Sequence, residues 1–299
     1  MQNTMITQIV NSIRHLNSNV LGINARNLAC VYPLNPRRNF PQADHKLLCK
    51  KLLEEHQVAH PKTLAVYNQY RDLLSLDADI KNLSGFAVKP ESGYGGRGIL
   101  IITRGDDGAL RAGGKVIGID ELRAHIYRIL TGCFSLEKVS DSAFIEQLII
   151  SDDTFEDILF GGLPDIRIIL HQESPVMAMA RIPTAESGGL ANLHQGALGL
   201  GIDLQTGITT GAVYRNRVVT HTPDTNTPLA GFQIPHWEKI LDMATRSSHI
   251  FGLGYLGVDI VIDRFQGPMV IEVNARPGLS IQLANAKGLK ALMNEVSNT

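Results

Sequence analysis

Cysteine and tryptophan are scarce in this sequence. Three cysteines, Cys30, Cys49 and Cys133, and one tryptophan occur among 299 residues, and no two cysteines form a CxxC pair. A small, odd and scattered set of cysteines predicts neither a disulfide framework nor a structural zinc site. This cysteine usage favours a reducing compartment, so we expect a cytoplasmic protein.

Long runs of one residue type are also missing. With 28 Lys and Arg against 29 Asp and Glu, the net charge is −1, and no basic stretch stands out. This argues against a nucleic acid or an anionic membrane as the main partner. No apolar run is long enough to span a membrane, and the first residues, MQNTMITQIVNSIRHLN, lack a basic leader start. We therefore expect no export and no membrane insertion.

The chain is large and apolar enough to form two lobes, since 44% of its residues are hydrophobic. Helical spacing of apolar residues predicts helices over residues 6–16 and 45–56, and the Asn-, Pro- and Arg-rich segment between them places a boundary near residue 40. Asp120 is predicted to cap a helix at IDELRAHIYRIL, Gly252 to end one after PHWEKILDMATRSSHIF, and Ser280 to cap a final helix. Strands are predicted at GFAVKP, ILIIT, FIEQLII, DIRIILHQ, PVMAMARIP and AVYRNRVVT.

Two strand-like segments near the C-terminus, residues 257–264 and 268–278, predict a hairpin that carries oxygen ligands. If the turn centres between Phe265 and Gln266, Ile262 faces Met269, and the same antiparallel register sets Asp259 opposite Glu272. Two carboxylates about 5 Å apart repel by about 3 kcal/mol at an effective dielectric constant of about 20. A divalent cation would remove this repulsion, and alternation places Asn274 on the same face. The set suits Mg²⁺; the alternative is a solvated acidic edge.

The segment from Gly93 to Gly98 satisfies the pattern GxGxxG of dinucleotide-binding proteins. Such a loop must open a helix that receives the pyrophosphate, whereas here the β-branched run ILIIT follows. The loop is therefore predicted to join two strands. It can fold over a triphosphate while Lys89 contributes a positive charge, or it can be an ordinary glycine-rich hairpin.

Several motifs in a fixed order resemble a known family. Lys46, Lys89, SGYGGRG, FIEQLI, DIR, ARIP, NLHQG and EVNARPG are similar to the ATP-grasp carboxylate–amine ligases, especially the glutamate ligase-like and sugar-transfer-associated branch. The similarity covers about residues 42 to 285. It implies an α+β fold in which two lobes with antiparallel sheets grip ATP. The resulting divisions are an N-terminal extension over 1–40, an N-terminal lobe with a glycine-rich lid over 41–145, and a C-terminal lobe with the metal site over 146–299.

The resemblance also implies roles for the residues that match it. Two lysines would hold the ATP phosphates beneath a mobile lid, an acidic residue and the following backbone would bind adenine, and another acidic residue would bind the ribose. These residues are Lys46 and Lys89 for the phosphates; Ser92, Gly93, Gly95, Gly96 and Gly98 for the lid; Glu146, Gln147, Leu148 and Ile149 for adenine; and Asp153 for the ribose. The alternative for Asp153 is a loop cap.

Further residues would act on the transferred phosphate and on the substrate. Arg167 and Arg181 would face the γ-phosphate and a carboxylate, although an arginine on a strand can also be a surface residue. Asn192 would assist the phosphate or metal, while His194 could be structural. Two Mg²⁺ ions, replaceable by Mn²⁺, would bind Asp259, Glu272 and Asn274. Arg276, where relatives often have serine, could reach an anionic substrate or pair with a neighbouring acid.

The reaction implied by the resemblance is formation of an acyl phosphate from ATP and a carboxylate, followed by attack of an amine to give an amide and ADP. The added group would be glutamate or a similar amino acid, and the acceptor a peptide or small molecule. Two alternatives remain open: an ATP-binding regulatory or sensor protein, and a phosphotransferase. The oligomeric state is open too, with a homo-oligomer allowed.

Overall fold

The computed structural model describes residues 19–93, 95–135 and 138–297. The helix predicted over residues 6–16 lies outside these ranges. Two antiparallel sheets organise the described chain, which agrees with the predicted α+β class.

The smaller sheet has six strands in the order β1-β6-β2-β3-β4-β5. Its hydrophobic core is closed by the helix over residues 119–130 and by residues 70–80. Because β2 pairs directly with β3 in antiparallel fashion, the glycine-rich loop joins two strands, as predicted. The strands are β1 Thr63–Tyr67, β2 Gly85–Pro90, β3 Leu100–Arg104, β4 Leu110–Ala112, β5 Lys115–Val116 and β6 Ala143–Gln147.

The larger sheet has seven strands in the order β11-β10-β9-β8-β7-β12-β13. All nine residues of β12 are buried, which indicates that both faces of the sheet are covered there. The strands are β7 Asp165–His171, β8 Ser174–Ile182, β9 Leu198–Ile202, β10 Thr209–Tyr214, β11 Arg217–Val219, β12 Tyr255–Asp263 and β13 Gly267–Asn274. The segment predicted as one strand, AVYRNRVVT, is the hairpin of β10 and β11.

Helices cover the two faces of the larger sheet. On one face, α7 packs over an apolar core that also receives α4. On the other face, the segment from residue 21 to 34 packs together with α8 and α9. The helices are α1 Ile23–Arg26, α2 Tyr32–Leu34, α3 Phe40–Asp44, α4 Lys46–Glu55, α5 Leu76–Ile80, α6 Ile119–Leu130, α7 Trp237–Phe251, α8 Ile281–Ala284 and α9 Leu289–Ser297.

Helix α4 packs in a different lobe from the one predicted for it. Cys49, Leu53 and Val58 belong to the core of the larger sheet. Along the chain, the first buried residue in the core of the smaller sheet is Tyr67. The chain therefore enters the larger lobe first, forms the smaller lobe, and returns. A sequence pattern cannot reveal this because an amphipathic helix shows that one face is buried but not which surface buries it.

Two predicted helix ends differ from the structure. Gly118, not Asp120, is the N-cap of α6, and its N–H donates to Glu121 Oε2 at 2.9 Å. Ser280 precedes α8 but makes no side-chain capping bond, and the predicted final helix is divided into α8 and α9. Gly252 ends α7 in the left-handed conformation, as predicted. Within the described residues, no helix is long and apolar enough to cross a membrane.

Candidate active site between the two sheets

The β12–β13 hairpin brings Asp259 opposite Glu272, as predicted. The route to this register differs from the prediction. Ile262 faces Pro268, not Met269, because the turn holds three residues and Gly267 takes the left-handed conformation. A bulge between Asp259 and Ile260 adds one residue to β13 and restores the pairing that carries the carboxylates.

One face of the larger sheet changes from apolar to charged along its strands. At one end it carries Ile169, Met177 and Tyr255, which pack beneath the terminal helices. At the other end, pairing places Arg167 opposite Asp259 and Asp165 opposite Arg181. Because side chains alternate along a strand, these four charged residues share the face of the apolar ones.

Asp259 is 0% exposed and lies between two arginines. Arg167 donates from Nε to Asp259 Oδ1 at 2.7 Å and from Nη2 to Asp259 Oδ2 at 2.6 Å. Arg181 donates from Nη2 to the same Oδ2 at 2.7 Å and also forms a two-point ion pair with Asp165. The predicted repulsion between Asp259 and Glu272 is therefore absent, because the arginines neutralise Asp259.

The pKa values of the two buried aspartates in this network shift in opposite directions. Burial alone would raise the pKa of Asp259, but Arg167 and Arg181 outweigh it and lower the pKa. Burial raises the pKa of Asp165, and the charge of Asp259 adds to this increase. The network of Asp165, Arg167, Arg181 and Asp259 thus has no net charge when all four groups are ionised.

Glu272 and Asn274 are the residues on this hairpin that fit a divalent cation. The contacts within the described residues leave the Glu272 carboxylate without a hydrogen bond or ion pair. Asn274 donates from Nδ2 to Asp259 Oδ2 at 3.4 Å, so its carbonyl oxygen remains an acceptor. Both oxygens of Asp259 accept from guanidinium groups, and no set of three or more His, Cys, Asp or Glu side chains suited to a metal occurs among the described residues. The donor set fits Mg²⁺ through Glu272 and Asn274, and Asp259 can join only if its arginines move.

A second buried ion cluster links the lobes. Glu146, at the end of β6, is 2% exposed and forms ion pairs with Lys89 from β2 and Lys50 from α4. The Lys50 Nζ lies 2.6 Å from Glu146 Oε2. The structure thus brings together two predicted site residues, Lys89 and Glu146. The Glu146 carboxylate, predicted to bind adenine, instead pairs with two lysines. Sequence reasoning missed Lys50, although its spacing four residues after Lys46 places both on one helix face.

Lys46 begins α4 and reaches the glycine-rich loop. Its Nζ donates to the carbonyl oxygens of Glu91 at 2.8 Å and Gly93 at 2.7 Å. Burial lowers the pKa of Lys46, while Glu272 acts most strongly in the opposite direction. Helix α4, which carries this predicted phosphate lysine, also packs against β13, the strand of the predicted metal hairpin that carries Glu272.

The loop of Gly93, Gly95, Gly96 and Gly98 is docked against the larger lobe. Gln195 Nε2 donates to Gly95 O at 2.9 Å, and a Cβ at Gly96 would lie 2.9 Å from Leu190 Cδ2. The Ser92 N–H donates to both oxygens of Asp141, at 3.0 and 3.1 Å. Gly95, Gly96 and Gly98 have positive φ, which glycine adopts without strain.

The same docking surface contains the predicted residue Asn192. Its Oδ1 accepts from His194 N at 3.0 Å and caps a short turn, while its Nδ2 would lie 3.6 Å from a Cβ at Gly95. Asn192 therefore lies directly beneath the glycine loop. Sequence reasoning missed Leu190 and Gln195, which make the contacts with that loop.

The predicted adenine and ribose residues lie at the exit of β6. Gln147 ends the strand and its N–H donates to Lys62 O at 2.9 Å, while Leu148 packs beside Gly85. The next segment, containing Ile149, returns to the larger lobe. Asp153 forms an ion pair with Arg264, and the neighbouring Asp152 is the residue that caps the following turn.

Arg276 is paired with a neighbouring acid, which was the second reading of this residue. Its Nη2 donates to Asp44 Oδ2 at 2.9 Å, and its guanidinium lies 4.9 Å from the centre of the Phe40 ring. Its described contacts are therefore with α3 and not with the Asp259 network.

Comparison with known families identifies the architecture. The profile of the sugar-transfer associated ATP-grasp family matches residues 25–298. The chain belongs to this family. The predicted ATP-grasp membership and fold are thus confirmed. No curated protein matches the sequence.

Solved structures share the fold at low sequence identity. The D-alanine–D-alanine ligase from Bacillus anthracis complexed with ATP has a TM-score of 0.50 and 16% identity over 87% of this chain and 67% of that protein. The D-cycloserine synthetase DcsG has a TM-score of 0.50 and 13% identity over 88% and 72%. The ATP-grasp ligase PsnB complexed with minimal precursor has a TM-score of 0.48 and 15% identity over 89% of this chain, which spans 64% of the PsnB length.

Proposed function

We propose that the chain is a carboxylate–amine ligase that forms ADP. In this reaction, a carboxylate oxygen attacks the γ-phosphorus of ATP, ADP leaves, and an amine then displaces phosphate from the acyl phosphate to form an amide. No protein nucleophile is required. The protein aligns the reactants and excludes water from the intermediate.

The observation that carries this proposal is the convergence of both lobes on helix α4. This helix packs in the core of the larger sheet and against β13, the strand that carries Glu272. Its Lys46 contacts the glycine-rich loop, and its Lys50 shares Glu146 with Lys89 of the smaller lobe. Cationic groups beside a free carboxylate suit a nucleotide triphosphate with its cation. The loop docked above them, held by Gln195, would keep water away.

We assign the cation to Glu272 and Asn274, with Asp259 joining only if Arg167 and Arg181 move. When bound, Mg²⁺ would offset the negative charge of the phosphates; two ions, and Mn²⁺ as a substitute, belong to the same proposal. Lys46 and Lys89 would bind phosphates, Glu146 would position both Lys89 and Lys50, and residues 147–149 would border adenine. Asp153 would reach the ribose only by exchanging its ion pair with Arg264.

The two arginines of the Asp259 network would act through N–H groups that do not bond to the aspartates. Arg167 and Arg181 use Nε and Nη2 for aspartates, whereas Nη1 of each makes no hydrogen bond within the described chain. These nitrogens can donate to the γ-phosphate or to the reacting carboxylate. Two arginines against two aspartates leave this network without a net positive charge, so a glutamate-like reactant rests on the family resemblance alone.

The test is an assay of the purified protein with Mg²⁺, ATP and a panel of amino acids, peptides and sugar acids, with hydroxylamine as a trap. We expect ADP, together with a hydroxamate when the correct acid is present. Glu272→Gln should lose turnover but remain folded. A stable phosphorylated product would replace the ligase with a phosphotransferase, and ATP binding without turnover would favour a sensor. AMP and pyrophosphate would contradict the acyl phosphate.

A further inference from the structure

A cavity lies beside the reaction site, between the N-terminal segment and the end of β13. Its volume is about 670 Å³, which is within the range for small-molecule sites. The lining is mostly apolar and includes two aromatic rings. The residues that matter for the argument are Asn27, Tyr32, Arg37, Phe40, Asp44 and Arg276.

Arg276 lines this cavity with most of its donors unused. Among the described residues, Asp44 is the only hydrogen-bond acceptor of its guanidinium, which has five N–H groups. One guanidinium face packs near the Phe40 ring, and the side chain is 51% exposed. An arginine held in this way can accept a planar anion without leaving its position.

The cavity and the proposed reaction site share secondary-structure elements. Arg276 follows the proposed cation ligand Asn274 by two residues, and His45, another lining residue, immediately precedes Lys46. His45 Nδ1 lies 3.7 Å from Glu91 Oε1, next to the carbonyl that Lys46 contacts. A molecule in the cavity would therefore lie close to the phosphate lysine and the hairpin.

A buried arginine stabilises the cavity wall. Arg26 is 8% exposed and donates from Nη1 to Pro277 O at 2.8 Å and to Arg276 O at 3.3 Å. These bonds hold the backbone that carries Arg276. The cavity is thus a built feature of the fold.

We propose that this cavity binds the acid substrate of the ligase, a small organic carboxylate of single-sugar or dipeptide size. A carboxylate group accepts from Arg276, and the body of the molecule packs on Phe40 and Tyr32. The lining carries two arginines, Arg37 and Arg276, and one aspartate, Asp44. The resulting net positive charge favours binding of an anion. This inference rests on the proposed function, because it assigns that reaction's acid to a place.

The test measures binding of three probes, L-glutamate, D-glucuronate and D-glucose, by saturation-transfer NMR and calorimetry. The protein carries Mg²⁺ and a non-hydrolysable ATP analogue. We expect at least one acid to bind and the neutral sugar to bind more weakly. Which acid binds distinguishes an amino-acid from a sugar-acid substrate.

Variants locate the binding. Arg276→Gln should lower the affinity for the acid by about tenfold or more, as expected for a lost charged hydrogen bond. Tyr32→Ala should lower this affinity less. The matched control is Arg217→Gln, which removes an exposed arginine on β11, at the opposite edge of the sheet. Affinity for the ATP analogue should be unchanged in all three variants.

Each outcome supports or overturns the assignment. Absence of acid binding to the wild-type protein, or equal binding to wild type, Arg276→Gln and Tyr32→Ala, would overturn it while leaving the ligase activity to its own assay. Acid binding that depends on Arg276, without ADP or amide formation, would support the cavity and contradict the proposed function.

Discussion

At the scale of single residues, the buried Glu146 depends on a partner from the other lobe. Glu146 of the smaller sheet pairs with Lys50 of α4, which packs with the larger sheet. Burial would raise the pKa of Glu146, but Lys89 and Lys50 outweigh it and lower the pKa. Because the folded pKa is depressed, this stabilisation is present above the unfolded pKa of about 4.3 and is lost as the pH falls through the folded value.

We predict that Lys50→Met lowers the free energy of unfolding by about 3 kcal/mol near neutral pH. Removing one partner leaves the buried Glu146 with Lys89 alone, and breaking a buried pair costs this much. Urea unfolding at fixed pH measures the change. Lys51→Met is the matched control, since its exposed side chain lies 3.8 Å from Glu55, and it should shift stability by less than about 0.5 kcal/mol. Equal effects of the two substitutions would show that the cluster does not stabilise the fold.

At the scale of elements, the β12–β13 hairpin separates a structural carboxylate from a functional one. Asp259 is buried and accepts from two arginines, whereas Glu272 is half-buried and makes no such contact among the described residues. The two residues face each other across the strands. Removing the Asp259 carboxylate would leave two arginines without their shared acceptor, whereas removing the Glu272 carboxylate would leave no described group without a partner. Stability and activity can therefore be separated on one hairpin.

We predict that Asp259→Asn lowers stability by about 3 kcal/mol or more, because it leaves Arg167 and Arg181 without their shared anion. Glu272→Gln should change stability by less than about 0.5 kcal/mol and should abolish Mg²⁺-dependent turnover. Thermal unfolding and ADP release measure the two properties. A clear gain of stability in Glu272→Gln would mean that Asp259 and Glu272 do repel each other after all.

The glycine-rich loop is the second element that combines structure with function. Gly96 has φ +80° and packs on Leu190, whereas Gly114, in the β4–β5 turn, has φ +79° and no atom within 4 Å of a built Cβ. Alanine has the same backbone strain at both positions, so only Gly96 adds a steric clash with the opposite lobe.

We predict that Gly96→Ala lowers kcat/KM for ATP by about tenfold, which corresponds to about 1.4 kcal/mol of lost docking. Gly114→Ala should retain wild-type kinetics. The free energy of unfolding should be lower in Gly96→Ala than in Gly114→Ala by no more than this amount, because the two variants share the backbone cost. Unchanged kinetics in Gly96→Ala would show that closure of this loop does not limit turnover.

At the scale of the whole molecule, two separate cores share a polar boundary. The core of the smaller sheet has no residue in common with the two clusters of the larger sheet. The described contacts between the lobes include Lys50 with Glu146, Lys46 with Gly93 and Gln195 with Gly95. Nucleotide bound between the lobes would add contacts to both.

We predict that urea unfolds the nucleotide-free protein in two transitions. Mg²⁺ with an ATP analogue should raise the urea concentration at the midpoint of both transitions and reduce the difference between the two midpoints. A ligand at 100 times its dissociation constant stabilises by about 2.7 kcal/mol. Far-UV circular dichroism follows both lobes, and fluorescence of Trp237, which lies in the larger lobe, reports on that lobe alone. Coincident transitions without nucleotide would show that the lobes already unfold as one unit.

The sequence by itself determined the local elements and the oxygen-rich hairpin. Turn residues and alternating apolar residues predict β2, β3, β12 and β13, and the loop between β2 and β3 could not open a helix because β-branched residues follow it. The pairing of Asp259 with Glu272 was also predictable. The one-residue difference at Ile262 was not, because the three-residue turn that causes it and the bulge that compensates for it depend on how the strands pack.

Only the tertiary structure decided which charges meet. Lys50 and Glu146 lie 96 positions apart in the sequence, and Arg167, Arg181 and Asp259 come from three strands whose order no local pattern encodes. The lobe that buries α4 and the acid that pairs with Arg276 are decided in the same way. Local sequence sets backbone preference and the apolar face of each element, but the partner of a charged side chain depends on the packing of distant segments.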